Sequence, residues 1–350
     1  MKIAALVSGG VDSSVMLNLL KRDEHDITAF YLKIWLEDDL SSLGECPWEE
    51  DLSFVREVCE QAEIELKIIN LQKEYWERVV EYCINQVKLG NTPNPDMLCN
   101  SRVKFDAFFD AVNEDFDYVA TGHYAGTKVV GDNTQLTRVR DQIKDQTYFL
   151  ANLSQKQVAK SLFPLAPYLK SEVRALAQEF DLPNKDRKDS QGICFLGKIK
   201  YNDFLKHYLK EKQGDIIDID TGRKLGNHKG FWYHTTGQRK GMGLGGGPWI
   251  VTKKDIEKNI VYVSNNMESY AKNQTSFTIK DVNWIMNEPP RTCKIKLRHG
   301  VKVLDCTLTK IKEDSYNVIL NEPDQGIASG QYAVFYDDEL CYGCGVICDE

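Results

Sequence analysis

Glycine and hydroxyl side chains are concentrated in one short stretch near the start of the chain, Ser8-Gly9-Gly10-Val11-Asp12-Ser13-Ser14. Glycine lets a backbone turn tightly and approach an anion with no Cβ in the way, while serine hydroxyls add donors. The chemistry this implies is phosphate binding. No Gly-Lys-Ser/Thr follows, so the stretch is not a Walker A loop.

Two cysteines also stand where thiol chemistry is conceivable. Cys99 closes Asn94-Pro95-Asp96-Met97-Leu98-Cys99 and precedes a helix start expected at Ser101, with Arg102 and Lys104 close by; a helix dipole and cations favour thiolate. Asp96, three residues earlier, is the nearest carboxylate for proton transfer. Cys194 ends a charged loop, 184–195, in which Lys185, Arg187 and Lys188 are partly offset by Asp186 and Asp189. A half-buried loop cysteine is the plain alternative for each. Cys341-Tyr342-Gly343-Cys344 with Cys348 is incomplete as a zinc site, which wants four ligands, and no metal site is expected.

The elements that position these residues alternate in type. Ile3 to Val7 is β-compatible, and Val11, Val15, Met16, Leu19 and Leu20 recur at helical spacing after it. A strand, a tight turn and a helix N-terminus follow, where free N–H groups and the dipole converge. Further strands are expected over 26–35, 64–68 and 118–120, with helices carrying Leu52, Val55, Val58 and Ala62, and then Tyr75, Val79, Val80, Cys83, Ile84 and Val87 up to Gly90. Such alternation predicts an α/β fold with a doubly wound parallel sheet, binding ligands beyond the strands' carboxyl ends. Thr121-Gly122-His123-Tyr124 falls at the same edge; from position alone His123 serves equally well as a structural histidine. Between Gly90 and the helix of Phe105, Phe108 and Phe109, two prolines and three asparagines in 91–100 predict a fixed, turn-rich loop.

Past residue 200 helical periodicity fades and turn signals recur, so 198–274 reads as a small β-rich domain, with strands at 215–219 and 259–263. From Thr275 the pattern is strands, at 294–299, 301–311, 316–320 and 331–336, which predicts a closed β-barrel of the small nucleic-acid-binding kind over 275–350. The first domain then spans 1–197.

Several of these segments together carry a resemblance. Ser8 to Ser14 reproduces the SGGxDS signature of ATP pyrophosphatase loops. With ATGHYA at 120–125, NPDxxCN at 94–100, DSQGICF at 189–195, Lys144 to Leu150 and Gly237 to Gly241, essentially the whole chain resembles the tRNA uridine 2-sulfurtransferases, the MnmA family. Asp106, where that family usually has glycine, is one departure and bears on the local helix start. The resemblance implies an adenine nucleotide α-hydrolase-like first domain and ATP-dependent 2-thiolation of the tRNA wobble uridine. It implies ATP at Leu6, Val7, Ser8, Gly9, Gly10, Val11, Asp12, Ser13, Ser14, Leu32 and Gly122, with Mg2+ bridging the phosphates near Asp12. It implies tRNA contacts from Asn94, Pro95, Asp96, His123, Lys144, Asp145, Gln146, Arg298, His299 and Gln331. Cys194 would carry a persulfide loaded by a cysteine desulfurase or sulfur-relay protein. Cys99 would either resolve a linked intermediate, leaving a Cys99 to Cys194 disulfide, or free hydrosulfide. The competing readings are another pyrophosphatase-loop synthetase, a thiolase acting on C4 of uridine, and a nucleotide-dependent RNA-binding module without turnover.

Composition narrows the classes. A chain of 350 residues, 42% hydrophobic and 27% charged, suits a soluble protein of two or three domains. No apolar run approaches the roughly 20 residues of a spanning helix, no signal peptide is evident, and a cytoplasmic location without membrane contact is expected. Ten cysteines in such a chain read mostly as reduced core thiols. The net charge of -8 argues against bulk affinity for nucleic acid, so RNA must meet local basic patches.

Overall fold

A computed structural model describes residues 1–35, 48–112, 115–189, 199–266, 268, 270 and 274–348. Cys46, Cys194 and the segment 190–198 lie outside the described residues. The first strands are β1 (Lys2–Val7), β2 (Asp26–Lys33), β3 (Leu66–Asn70) and β4 (Tyr118–Thr121), followed by the hairpin β5 (Gly126–Val130) and β6 (Asn133–Thr137) and the short β7 (Ser161–Leu162). A five-stranded sheet runs β3-β2-β1-β4-β7, every pair parallel.

Both faces of β1 are covered, as a parallel sheet requires. Ala4 and Leu6 face one core with Phe30, Val79, Cys99 and Phe108. Ile3, Ala5 and Val7 face another, made with the helices Val11–Arg22, Trp48–Gln61 and Lys170–Glu179. Strand order reverses between β1 and β4, which opens the ligand crevice at the ends of those two strands.

The segment 91–100 differs from the turn-rich loop expected. A helix, Pro95–Cys99, begins inside it and runs on as a π-helical stretch, Asn100–Ala107. Pro95 sits in the first turn, where its missing N–H costs nothing, and the Asn94 side chain accepts from Met97 N–H at 3.3 Å. The helix start therefore lies at Pro95 rather than Ser101, and Cys99 stands at the end of that short helix.

The middle of the chain holds β8 (Gly214–Asp218), β9 (Lys224–His228), β10 (Ile250–Asp255) and β11 (Ile260–Ser264), ordered β10-β11-β8-β9. It is preceded by a helix that the fading periodicity did not suggest, Tyr201–Leu209. Its Tyr201, Phe204, Leu205 and Tyr208 recur at helical spacing and pack into the core of the first domain, with Tyr208 against Trp76 at 5.3 Å between ring centroids.

The remaining strands are β12 (Ser276–Trp284), β13 (Thr292–Lys296), β14 (Leu304–Lys312), β15 (Ser315–Leu320), β16 (Tyr332–Tyr336) and β17 (Leu340–Cys348). They follow one another as β12-β15-β14-β13-β16-β17, and pairing of β12 with β17 closes a six-stranded barrel. Two of its staves, β12 and β17, were absent from the strands expected. Cys341 and Cys344 are buried core positions on β17, and no group of metal-ligating residues occurs among the described residues. The start of β17 also pairs with β6, Leu340 and Cys341 opposite Thr137 and Leu136, so the hairpin of the first domain is bonded to the barrel. No helix among the described residues is long and apolar enough to cross a membrane.

Candidate active site

The Ser8 to Ser14 turn leaves β1 and enters the helix Val11–Arg22 as expected. Gly9 has φ of +75°, and a Cβ there would lie 2.5 Å from the Asp51 carbonyl oxygen, so only glycine fits. Ser13 Oγ accepts from Ser8 N–H at 3.1 Å and donates to the Gly10 carbonyl at 3.0 Å, tying the turn into a ring. Gly10 at the N-cap has no side chain to cap the helix's first N–H groups, which suits that end to an anion. The Gly9 carbonyl is held from behind by Asn184 Nδ2 at 2.9 Å and Arg187 Nη1 at 3.0 Å.

Gly122, at the end of β4, abuts this turn. A Cβ on it would stand 2.8 Å from Ser13 N, so a side chain there would push the loop out of place. Leu6, Val7 and Val11 are buried at the strand end and helix start, and Leu32 lies partly buried on the adjacent β2.

Asp12 is one end of an ionic chain, centred on Asp189, that spacing does not reveal. Its Oδ1 accepts from Tyr124 Oη at 3.0 Å and Lys170 Nζ at 2.7 Å. Lys170 Nζ also reaches Asp189 Oδ1 at 2.8 Å, and Asp189 further pairs with Arg174 at 2.5 Å and Lys144 at 2.8 Å. Partial burial alone would push the Asp189 carboxyl up, but hydrogen bonds and charge from Lys144 and Lys170 hold it well below the usual carboxylate range. Arg187, expected near the Cys194 thiol, is engaged by Asp51 at 2.5 Å, and Lys185 by Asp181.

The Cys99 thiol is 1% exposed, and burial pushes its pKa up to about 11, against the pull of Lys104 and with a further push from Asp96. This reverses the thiolate expectation: without a free helix N-terminus beside it, desolvation outweighs the nearby cations. His123 accepts or donates at Thr121 Oγ1, 2.8 Å away, and stands edge-on to Phe163; burial, aided by Lys104, holds its pKa well below the ordinary value, so its ring is neutral.

The segment Lys144 to Leu150 ties these parts together. Lys144 reaches Asp189, and Gln146 clasps the Tyr124 backbone, accepting at 2.9 Å and donating at 2.8 Å. The Phe149 carbonyl accepts from Asn100 Nδ2 at 3.0 Å, and the Phe149 ring stacks on His299 of the barrel at 4.8 Å. Arg298 is exposed beside Asp324, whereas Gln331 is spent on the first domain, donating to the Thr92 carbonyl at 2.6 Å. Asp145, expected at the RNA, is not at the surface: its side chain is 0% exposed and meets Arg138, Lys296 and Thr147. Of the residues expected at the nucleotide, Gly9, Gly10, Ser13 and Gly122 stand with Asp12 at the turn, whereas those expected at tRNA are spread: Lys144 joins Asp189, Gln146 clasps Tyr124, Asp145 is buried, and His299 meets Phe149 at the barrel.

Comparison with known proteins bears on what this arrangement does. Residues 1–198 match the tRNA methyl transferase HUP domain family, 202–265 the tRNA methyl transferase PRC-barrel domain and 274–347 the aminomethyltransferase beta-barrel domain. The tRNA-specific 2-thiouridylase MnmA of Parabacteroides distasonis is 45% identical, over 100% of this chain and 99% of its own length. A tRNA-specific 2-thiouridylase MnmA 2 of Bacteroides fragilis is likewise 45% identical, over 99% of this chain and 100% of its own. A third, from Porphyromonas gingivalis, is 44% identical over 99% of both. Full-length identity at this level, with family models matching all three parts of the fold, places the chain in the tRNA-specific 2-thiouridylase MnmA family.

Proposed function

We propose that the protein is a tRNA uridine 2-sulfurtransferase that uses ATP to activate the C2 oxygen of the wobble uridine. The observation that carries this is the Lys144 to Phe149 segment, which bonds at one end to the Asp12 network and at the other to the Cys99 helix and the barrel. An activated base and a sulfur-handling thiol require such adjacency.

The C2 oxygen of uridine is a poor leaving group. Attack of that oxygen on the α-phosphorus of ATP, held by the Ser8 to Ser14 turn, expels pyrophosphate and makes the oxygen part of a good one, AMP. Asp12 and the phosphates suit a magnesium ion, which takes few carboxylates and several phosphate oxygens; when bound it neutralises charge on the departing pyrophosphate. The terminal sulfur of a Cys194 persulfide, supplied by a donor protein, attacks C2 and releases AMP. Cys99 then attacks the Cys194 sulfur, leaving 2-thiouridine and a disulfide, or alternatively frees hydrosulfide before attack on the base. Asp96 takes the Cys99 proton, a step that burial makes necessary because the resting thiol is protonated. The uridine is flipped out of its stack to reach the crevice.

Nucleoside mass spectrometry of tRNA incubated with the protein, ATP and a persulfide donor tests this. Sulfur gained at the wobble uridine is expected, lost in Cys99→Ser and Cys194→Ser. In Cys194→Ser, labelled sulfur should not load on the protein while uridine adenylation persists. ATP-dependent tRNA binding with no sulfur gained would sink the reading in favour of a binding module.

A further inference from the structure

We infer that Lys170 is a further nucleotide-contacting residue, whose ammonium occupies Asp12 while no nucleotide is bound and turns to the phosphates when ATP and its divalent cation arrive. The inference rests on the reading of the Ser8 to Ser14 turn as an ATP site.

Lys170 opens the helix Lys170–Glu179, and its backbone N–H is fixed by Asp141 Oδ2 at 2.9 Å. Its side chain is 15% exposed and spans Asp12 Oδ1 and Asp189 Oδ1, at 2.7 and 2.8 Å, with Nζ 5.9 Å from the centre of the Tyr124 ring. The root is therefore anchored while the ammonium lies directly beside the phosphate turn. Asp12 is the one carboxylate in that turn, so a phosphate-borne cation would compete with Lys170 for the same carboxylate. An ammonium and a divalent ion cannot share it at contact distance without strong repulsion.

Lys170 can leave without stranding the carboxylate it shares. Asp189 keeps Lys144 and Arg174 when Lys170 leaves, so its charge stays paired. Lys144, Lys170 and Arg174 are matched by Asp12, Asp141 and Asp189, so a cation that takes over Asp12 frees the charge of Lys170 for another anion. A triphosphate supplies that anion, and a charge-assisted contact from Lys170 is the stronger kind of hydrogen bond.

ATP binding to the full chain, measured by calorimetry with and without magnesium, tests the inference in wild type, Lys170→Met, Lys170→Arg and Asp12→Asn. Lys170→Met should weaken ATP binding in magnesium at least tenfold, and Lys170→Arg should recover part of the loss. In Asp12→Asn, where Asp189 alone still pairs with the ammonium, magnesium-free ATP should bind at least as tightly as in wild type. Wild-type ATP affinity in Lys170→Met, with or without a lower melting temperature, would overturn the inference and leave Lys170 a structural ion pair. Should Lys170→Met not fold, weaker magnesium-free binding by Asp12→Asn would overturn it as well. Absence of any ATP binding by wild type would instead remove the nucleotide reading on which it rests.

Discussion

At the scale of single residues, the resting state of Cys99 is the sharpest departure from what its neighbours in sequence suggest. Arg102 and Lys104 are adjacent in the chain, but Lys104 donates to Asn100 Oδ1 at 3.0 Å and Arg102 to the Arg78 carbonyl at 3.0 Å. The thiol meets the apolar core instead. With a pKa of about 11, only about one molecule in a thousand carries the thiolate at pH 8, against roughly a quarter of free cysteine. A raised thiol pKa means the protonated form dominates below that value, so alkylation should accelerate about tenfold per pH unit across neutrality. Peptide mass spectrometry after timed iodoacetamide exposure reads this for Cys99 in the tRNA-free protein. A rate that is already flat between pH 7 and 9 would mean the thiol is ionised at rest. The same residue shows the limit of sequence: types and spacing mark Cys99 as chemical, whereas its burial comes from a core that also draws on β1, β4 and the barrel strand β16, far apart in the chain.

At the scale of elements, what is local was legible and what is assembled was not. The strand, turn and helix around Ser8 to Ser14 are set by neighbouring residues, so the pattern of Ile3 to Leu20 suffices to read them. Lys170 meets Asp12 across 158 residues and leaves no trace in spacing. Pro95 is ambiguous in sequence because a proline that breaks a helix interior also starts one well, and only the Asn94 cap decides between the two. The junction of β4 with the nucleotide turn makes a prediction of its own. A methyl at position 122 would meet Ser13 N at 2.8 Å and the Asp12 carbonyl carbon at 3.0 Å, both backbone atoms of the helix N-terminus. Gly122→Ala should therefore displace that N-terminus and weaken ATP binding more than tenfold, read by calorimetry, while the circular dichroism of the sheet persists. Unchanged affinity would mean the turn does not need β4 beside it.

At the scale of the whole molecule, one buried ionic cluster fastens the barrel to the first domain. Asp145, in the segment that bridges the two candidate subsites, receives Arg138 Nε at 2.8 Å and Lys296 Nζ at 3.3 Å, and both Asp145 and Lys296 side chains are 0% exposed. Lys296 lies on β13 and Arg138 follows β6, so the carboxylate holds barrel and hairpin at once. Burial opposes both charges, pushing the Asp145 carboxyl up and the Lys296 ammonium down. For Asp145 the Lys296 charge and the Thr147 and Arg138 hydrogen bonds outweigh burial and leave its pKa depressed. The two halves of the pair are not equivalent. Asp145→Ala strands a fully buried ammonium and should cost about 3–5 kcal/mol, whereas Lys296→Met leaves Asp145 with Arg138 and Thr147 and should cost roughly 1–3 kcal/mol. Denaturant unfolding of the two variants should give that order, with tRNA binding failing before ATP binding in Asp145→Ala as the barrel loosens. The depressed carboxyl fixes the sign of the pH dependence: its stabilisation is complete above the ordinary carboxylate pKa of about 4 and is lost as pH falls through the lower folded value. The stability gap between wild type and Asp145→Ala should accordingly narrow on acidification below about pH 4, and a gap that stays constant there would mean the carboxylate's charge is not what joins the two domains.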